Sequence, residues 1–164
     1  MKMRFERTLR GRPDIVWPYL TWPERMNDWS EARVDLVSAG EGGRPDHVGA
    51  TRRVTVPVLG LRFQLLEVVE ESVPPSRFVY RVTGGGGLRQ HRGEVRLDPV
   101  GDGTLLVWEV SYRTWVPGLG LLMKWLVGQS LRRSLAALER ILSQQAVAEE
   151  KPGPNQTLQQ TGGR

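Results

Sequence analysis

Apolar residues recur every three or four positions between Pro117 and about Gln144, which is the spacing that lines one face of an α-helix. This stripe consists of Leu122, Trp125, Gly128, Leu131, Leu135, Leu138 and Leu142. Charged and amide side chains lie between them, at Lys124, Gln129, Arg132, Arg133, Glu139 and Arg140, so the opposite face is solvated. The pattern predicts an amphipathic helix of about seven turns that packs its apolar stripe against another layer of the fold.

Alternating apolar and polar positions upstream of this helix predict seven β-strands. Their predicted ranges are 2–10, Ala32–Ser38, Ala50–Val56, Leu61–Val73, Arg77–Thr83, about Gln90–Leu97 and Thr104–Trp115. Apolar side chains on only one face are typical of an antiparallel sheet that is covered on one side. The predicted class is therefore α+β, with a curved seven-stranded antiparallel sheet wrapped around the long C-terminal helix.

Two short helices are expected between the first and second strands. Pro13 suits the first turn of a helix, which Pro18 should kink or end early because it has no N–H to donate. Thr21 and Glu24 have the spacing of a capping box, and this predicts a second helix from Trp22 to about Trp29.

Composition indicates one globular domain. The chain has 164 residues, of which 39% are hydrophobic and 25% charged, and both fractions are ordinary for a soluble protein. No run of about 18 apolar residues is present, and the N-terminus has no signal-peptide core, so a cytoplasmic location is expected. The absence of cysteine excludes disulfides and thiolate metal sites.

The formal net charge of +5 raises the question of a polyanionic partner. The arginines are spread over the whole chain, with adjacent pairs only at Arg52-Arg53 and Arg132-Arg133. No basic stripe interleaved with exposed aromatic residues is evident. We therefore interpret the charges as solvated surface and do not expect a nucleic-acid partner.

Several segments together resemble the polyketide cyclase/dehydrase group of the START-like (SRPBCC, Bet v 1-type) superfamily. The segments are 12–30, 48–51, 59–63, 74–82, 103–104 with 107–109, and the terminal helix. The resemblance covers about residues 3–143 and implies a helix-grip fold. Two departures concern local helix geometry: Trp22 stands where relatives commonly carry an acidic cap, and Pro18 interrupts the first helix. The resulting domain prediction is a START-like domain over 1–145, followed by a disordered tail over 146–164.

An apolar pocket is expected between sheet and helix, because a strongly bent sheet cannot contact a straight helix along its whole length. Gly128 on the inner stripe would enlarge that space. The predicted lining also includes Phe63, Phe78, Tyr80, Trp108, Val110, Tyr112, Trp125 and Leu131. The alternative interpretation is that these large side chains fill the core and leave only a small pocket.

Candidate catalytic groups are few. His91 shares strand parity with Val95 and Leu97, so its imidazole can face the pocket and act as an acid or base; Tyr80 is the second candidate. Asp28 and Glu94 can add a carboxylate, although charged strand positions commonly belong to the solvated face. No metal-ligand spacing is present, and no cofactor is expected.

The most apolar window of the chain covers residues 115–127. Its Trp and Leu residues, with bases nearby, suit transient contact with a membrane surface. The alternatives are a pocket lid that continues into the core, or a contact in a homodimer, so the expected state is a monomer or a homodimer.

Two functions from different classes remain open. The first is a carrier or sequestering protein that binds a lipid, polyketide, isoprenoid or aromatic molecule in the pocket. The second, which the resemblance implies, is a cyclase or dehydratase that orients a polyketide-like substrate there. Binding is the preferred interpretation because neither a nucleophile nor a paired acid and base can be assembled from the sequence.

Overall fold

The computed structural model describes residues 1–58, 60–85, 89–113 and 119–150. The strands are β1 (Lys2–Arg10), β2 (Arg33–Ser38), β3 (Thr51–Val58), β4 (Leu61–Val73), β5 (Arg77–Gly85), β6 (Arg89–Val100) and β7 (Gly103–Arg113). The helices are α1 (Pro13–Thr21), α2 (Pro23–Met26) and α3 (Leu119–Glu150), and a 3₁₀ turn covers Glu41–Gly43.

The strands form one antiparallel sheet in the order β1-β7-β6-β5-β4-β3-β2. Helices α1 and α2 connect its two edges, because β1 and β2 lie at opposite ends of this order. The end of β3, the start of β4, the end of β5, the start of β6 and the end of β7 all lie at one end of the sheet. We call this the open end of the sheet, and the face that packs on α3 the concave face. The predicted seven-stranded helix-grip architecture is confirmed.

The local prediction for α1 and α2 was wrong in two respects. Helix α1 continues through Pro18 to Thr21, so Pro18 does not end it early, since burial of Trp17 and Leu20 in the core offsets the proline penalty. The capping box does not form: Thr21 ends α1, and its hydroxyl donates to the Trp17 carbonyl at 2.8 Å. Helix α2 is accordingly a single turn with no side-chain cap.

Several strands and α3 are longer than predicted. Strand β6 extends to Val100 and leaves only a tight turn before β7, so the expected hairpin loop over 98–103 is shorter. Helix α3 reaches Glu150, which makes the first residues of the predicted disordered tail helical. The predicted end of β7 at Trp115, the start of the last helix at Pro117 and the tail from 151 onward lie outside the described residues.

Two groups of buried apolar side chains cover the concave face. The larger, which we call the central core, joins α1, β1 and β4–β7 to Leu135, Leu138 and Leu142 of α3. The smaller, the side cluster, consists of Met26, Val34, Val54, Leu65 and Val82. The C-terminal half of α3 therefore packs on the central core, while the side cluster lies on the strands toward β2.

Candidate functional site

Tyr80 lies at the middle of the concave face because the neighbouring strand has no side chain at the facing position. Tyr80 and Gly93 are directly paired between β5 and β6. A Cβ atom at Gly93 would lie 2.1 Å from Cζ of Tyr80, which is far inside van der Waals contact. The tyrosine ring therefore extends across β6, and its hydroxyl accepts a hydrogen bond from Nε1 of Trp108 on β7 at 3.1 Å.

His91 lies next to Tyr80 and faces the same side. Its imidazole is 6.1 Å from the Tyr80 ring and 6.4 Å from the Tyr112 ring, to which it is nearly parallel. Gln90 has a positive φ of 51°, and the β6–β7 register shifts between Arg89 and Arg92, as at a β-bulge that redirects a side chain. Sequence parity correctly placed His91 on this face.

Burial shifts the pKa values of the His91 imidazole and the Tyr80 hydroxyl. It lowers the pKa of His91 to about 4, so the imidazole is neutral at pH 7, and Nδ1 is buried without a hydrogen-bond partner in the described chain. Burial also raises the pKa of Tyr80, and the Glu67 charge acts in the same direction. At neutral pH the pair thus offers uncharged hydrogen-bonding groups on an apolar surface.

A buried ion pair that the sequence analysis did not select lies between the two apolar groups. The Arg52 side chain is 1% exposed, and its Nη2 is 3.1 Å from Oε2 of Glu67. Its guanidinium lies over the ring of Phe78 at 4.9 Å and over that of Tyr80 at 5.4 Å. Burial raises the pKa of Glu67, and the Arg52 charge opposes that rise.

The alternation of side chains along two strands could have revealed this pair. Arg52 shares the inward parity of Val54 on β3, and Glu67 lies between the inward-facing Leu65 and Val69 on β4. A charged residue at an inward position on each of two adjacent strands is an unusual signal. Because the two residues are directly paired in the register, each places its charge beside the other.

The remaining predicted pocket residues fall into two groups. Phe78, Trp108, Val110 and Tyr112 are buried in the central core, and Leu131 is partly buried against it. Phe63 and Trp125, by contrast, are 39% and 61% exposed. Phe63 lies on β4 near the open end, and Trp125 lies in the N-terminal half of α3. Neither belongs to the described central core.

Gly128 combines burial with free space. It is buried in α3, yet the position of a Cβ atom there has no atom of the described chain within 4 Å, apart from the adjacent helix backbone. A glycine inside a close-packed core would have neighbours at ordinary contact distance. The face of α3 at Gly128 therefore borders a space that the described side chains do not fill.

Helix α3 is attached near this space by one polar contact group. Glu31, between α2 and β2, accepts hydrogen bonds from Ser130 Oγ at 2.7 Å and from Arg133 Nε at 2.5 Å. The Glu31 backbone N–H also donates to Ser134 Oγ at 3.0 Å. At the far end of the helix, Gln145 donates to the Tyr19 hydroxyl. These contacts hold the helix from Ser130 onward.

The two candidate carboxylates lie away from the concave face. Asp28 is exposed and 4.0 Å from Arg25. Glu94 pairs with Arg77 at 3.0 Å on the convex face, where a depression of about 360 Å³ is lined mostly by charged residues of β1, β6 and β7. Hydrogen bonds and ion pairs among these side chains identify that depression as solvated surface.

The side chains of the apolar window 115–127 are described only from Trp125 onward.

The seven-stranded antiparallel sheet and the long helix on its concave face define a START-like domain. Residues 1–143 match the family described as polyketide cyclase / dehydrase and lipid transport. Since this match spans most of the chain, the protein belongs to that family. No curated protein matches the sequence at a significant level.

Solved structures agree with this assignment at the level of the fold. A START superfamily protein from Mycobacterium smegmatis superposes with a TM-score of 0.75 at 18% identity, covering 88% of this chain and 98% of that one. A Thermobifida fusca protein gives 0.69 at 19% identity, covering 87% and 93%. A protein from Thermus thermophilus gives 0.67 at 21% identity, covering 92% and 100%.

Across the described residues, no helix has both the length and the apolar character needed to cross a bilayer.

Proposed function

We propose that this protein binds a small hydrophobic molecule between the concave face and the N-terminal half of α3, as a carrier or sequestering protein. The molecule would be a lipid, polyketide, isoprenoid or aromatic compound. The observation that carries the proposal is Gly128, a buried residue that borders a space left unfilled by the side chains that the structure describes. A side chain is missing where a packed core would place one, and a ligand supplies that volume.

The exposure of large apolar side chains at the open end supports the same function. Trp125 lies on the same stripe of α3 as the buried Leu135. Phe63 shares the inward parity of Leu65 on β4. Both residues lie on inward faces and yet are solvent-exposed, which is costly in an empty protein. An apolar ligand that covers them offsets this cost.

Native mass spectrometry of protein purified from its own host provides the first test. Under gentle conditions we expect an adduct of a few hundred daltons, the size of a molecule that fills an ordinary ligand pocket. The adduct should be absent under denaturing conditions. Protein that is empty and takes up no apolar dye would contradict the proposal.

A Gly128→Leu variant tests the location of the ligand. Leucine fills the space next to α3, and it also favours the helix by about 1 kcal/mol relative to glycine, so lost binding cannot be attributed to helix unfolding. Ala136→Leu, on the exposed side of α3, is the matched control. Binding should fall at least about tenfold in Gly128→Leu, as expected when a bulky group blocks a pocket, and stay unchanged in the control.

A cyclisation or dehydration reaction in the same space is the second candidate. The observation that favours it is the neutral His91, whose Nδ1 lacks a partner within the described residues and which lies beside Tyr80. A neutral imidazole can accept a proton from a bound substrate. Turnover of a polyketide-like substrate that is lost in His91→Ala and Tyr80→Phe, with binding retained, would support the enzyme; no turnover by the wild type would favour the carrier.

A further inference from the structure

We propose that the Arg52–Glu67 pair recognises an uncharged hydroxyl group on the hydrophobic ligand, an inference that rests on the proposed function. The ligand would then be an alcohol or phenol with an apolar body, and neither a pure hydrocarbon nor a carboxylic acid. The Arg52–Glu67 pair would then form the polar end of the proposed ligand site, on the strands where the central core meets the side cluster.

The first observation is that Arg52 has fewer hydrogen bonds than its burial requires. A guanidinium carries five N–H groups, but the contact with Glu67 is the one bond of ordinary length to a described residue. Nη1 lies 3.5 Å from the Thr21 carbonyl and 3.6 Å from the Met26 sulfur, and Nε has no partner in the described chain. A buried cation with this deficit favours an additional acceptor.

The second observation concerns the acceptor side of the pair. Oε2 of Glu67 accepts a hydrogen bond from Nη2 of Arg52. No described residue donates a hydrogen bond to the other carboxylate oxygen, Oε1. The Glu67 side chain keeps 9% of its surface accessible, whereas that of Arg52 keeps 1%. Glu67 therefore offers a further acceptor oxygen at the edge of accessible space. Tyr80, whose hydroxyl accepts from Trp108, is close enough for the Glu67 charge to act on it.

Charge balance selects the ligand group. The pair is neutral overall, and a ligand carboxylate would place a second anion beside Glu67 in a desolvated site, which costs free energy. A hydroxyl can accept from Arg52 or Tyr80 and donate to Glu67 without adding charge. A hydrocarbon would leave these groups unsatisfied, so it should bind less tightly.

Three matched aromatic probes test this: 2-naphthol, 2-methylnaphthalene and 2-naphthoate, with dissociation constants measured by titration at pH 7. In the wild type, 2-naphthol should bind about tenfold more tightly than 2-methylnaphthalene, because its hydroxyl adds one or two hydrogen bonds and these increase the affinity by about that factor. It should also bind more tightly than 2-naphthoate. The informative variant is Arg52→Met/Glu67→Leu, because replacing both members of a buried pair by apolar residues commonly keeps the fold.

The double variant should bind 2-naphthol and 2-methylnaphthalene with equal affinity. Arg81→Met/Glu70→Leu removes a pair from the exposed surface of β4 and β5 and should keep the wild-type ratio. An unchanged ratio in the Arg52/Glu67 variant would overturn the inference and leave the proposed function intact. If none of the three probes binds the wild type, the proposed function fails, and the inference fails with it.

Discussion

The ring of Tyr80 occupies the place that a side chain at Gly93 would take. The two residues are directly paired between β5 and β6, and a Cβ atom at Gly93 would lie 2.1 Å from Cζ of the tyrosine. This contact brings the Tyr80 hydroxyl to the Trp108 indole on the next strand. One missing side chain thus gives the centre of the concave face a polar group among aromatic rings.

Gly93→Ala should destabilise the protein by about 1–3 kcal/mol, because the added methyl group forces the buried Tyr80 ring out of position. Urea unfolding followed by tryptophan fluorescence measures this change. The matched control is Gly84→Ala on β5, where a Cβ atom meets nothing within 4 Å. Equal effects of the two substitutions would contradict steric displacement as the cause.

The periodicity of apolar residues was sufficient for the architecture. Alternation along strands such as β4 and the three-to-four spacing in α3 each reflect burial on one face, and the structure has both elements where they were expected. The errors at α1 and α2 have a different origin. Whether Thr21 caps a new helix or closes the preceding one depends on tertiary packing of Trp17 and Leu20, which local sequence does not report.

The site was less accessible from sequence than the fold. His91 could be placed by parity because its strand neighbours are apolar. Arg52 was interpreted as solvated surface together with the other arginines, although strict alternation sends the side chains of Arg52 and Arg53 to opposite faces. The exposure of Trp125 could not be foreseen, since helical periodicity shows which face points inward but not whether the sheet reaches it.

Single substitutions of the Arg52–Glu67 pair should be much more damaging than the double substitution. Arg52→Met leaves the Glu67 carboxylate buried without its partner and should cost about 3–5 kcal/mol, whereas Arg52→Met/Glu67→Leu should be close to neutral. A double-mutant cycle from denaturant unfolding measures the coupling. Additive effects of Arg52→Met and Glu67→Leu would show that the two residues act independently.

Acid should destabilise the fold through His91. Its folded-state pKa of about 4 lies below the ordinary value of 6.5 because of burial, so the unfolded chain binds more protons between these values. Stability from this residue is therefore complete above about pH 6.5 and falls as the pH drops toward 4, by up to about 3 kcal/mol.

The contribution of His91 is isolated by comparing unfolding free energies of the wild type and His91→Gln at about pH 7.5 and about pH 4.5, on either side of the unfolded-state value. The wild type should lose more stability than the variant on acidification. An NMR titration of the imidazole gives the pKa directly. A midpoint in the folded protein at the ordinary histidine value would contradict the buried environment described for this ring.

Glu31 should control the mobility of α3 next to the open space. The Arg133 hydrogen bond lowers the pKa of Glu31, although burial opposes this, and Ser130 adds a second bond. The stabilisation is present above the unfolded-state pKa and is lost as the pH falls through the folded-state value. Since Arg133 and Glu31 are partly exposed, Glu31→Gln should cost only about 1 kcal/mol.

That loss should appear as faster amide hydrogen exchange in residues 125–134, by about fivefold, while Glu24→Gln on the exposed side of α2 leaves exchange unchanged. Exchange that is unaffected by Glu31→Gln would mean that the packing of Leu135, Leu138 and Leu142 alone holds the helix, and that the polar contacts at Ser130, Arg133 and Ser134 follow from that packing.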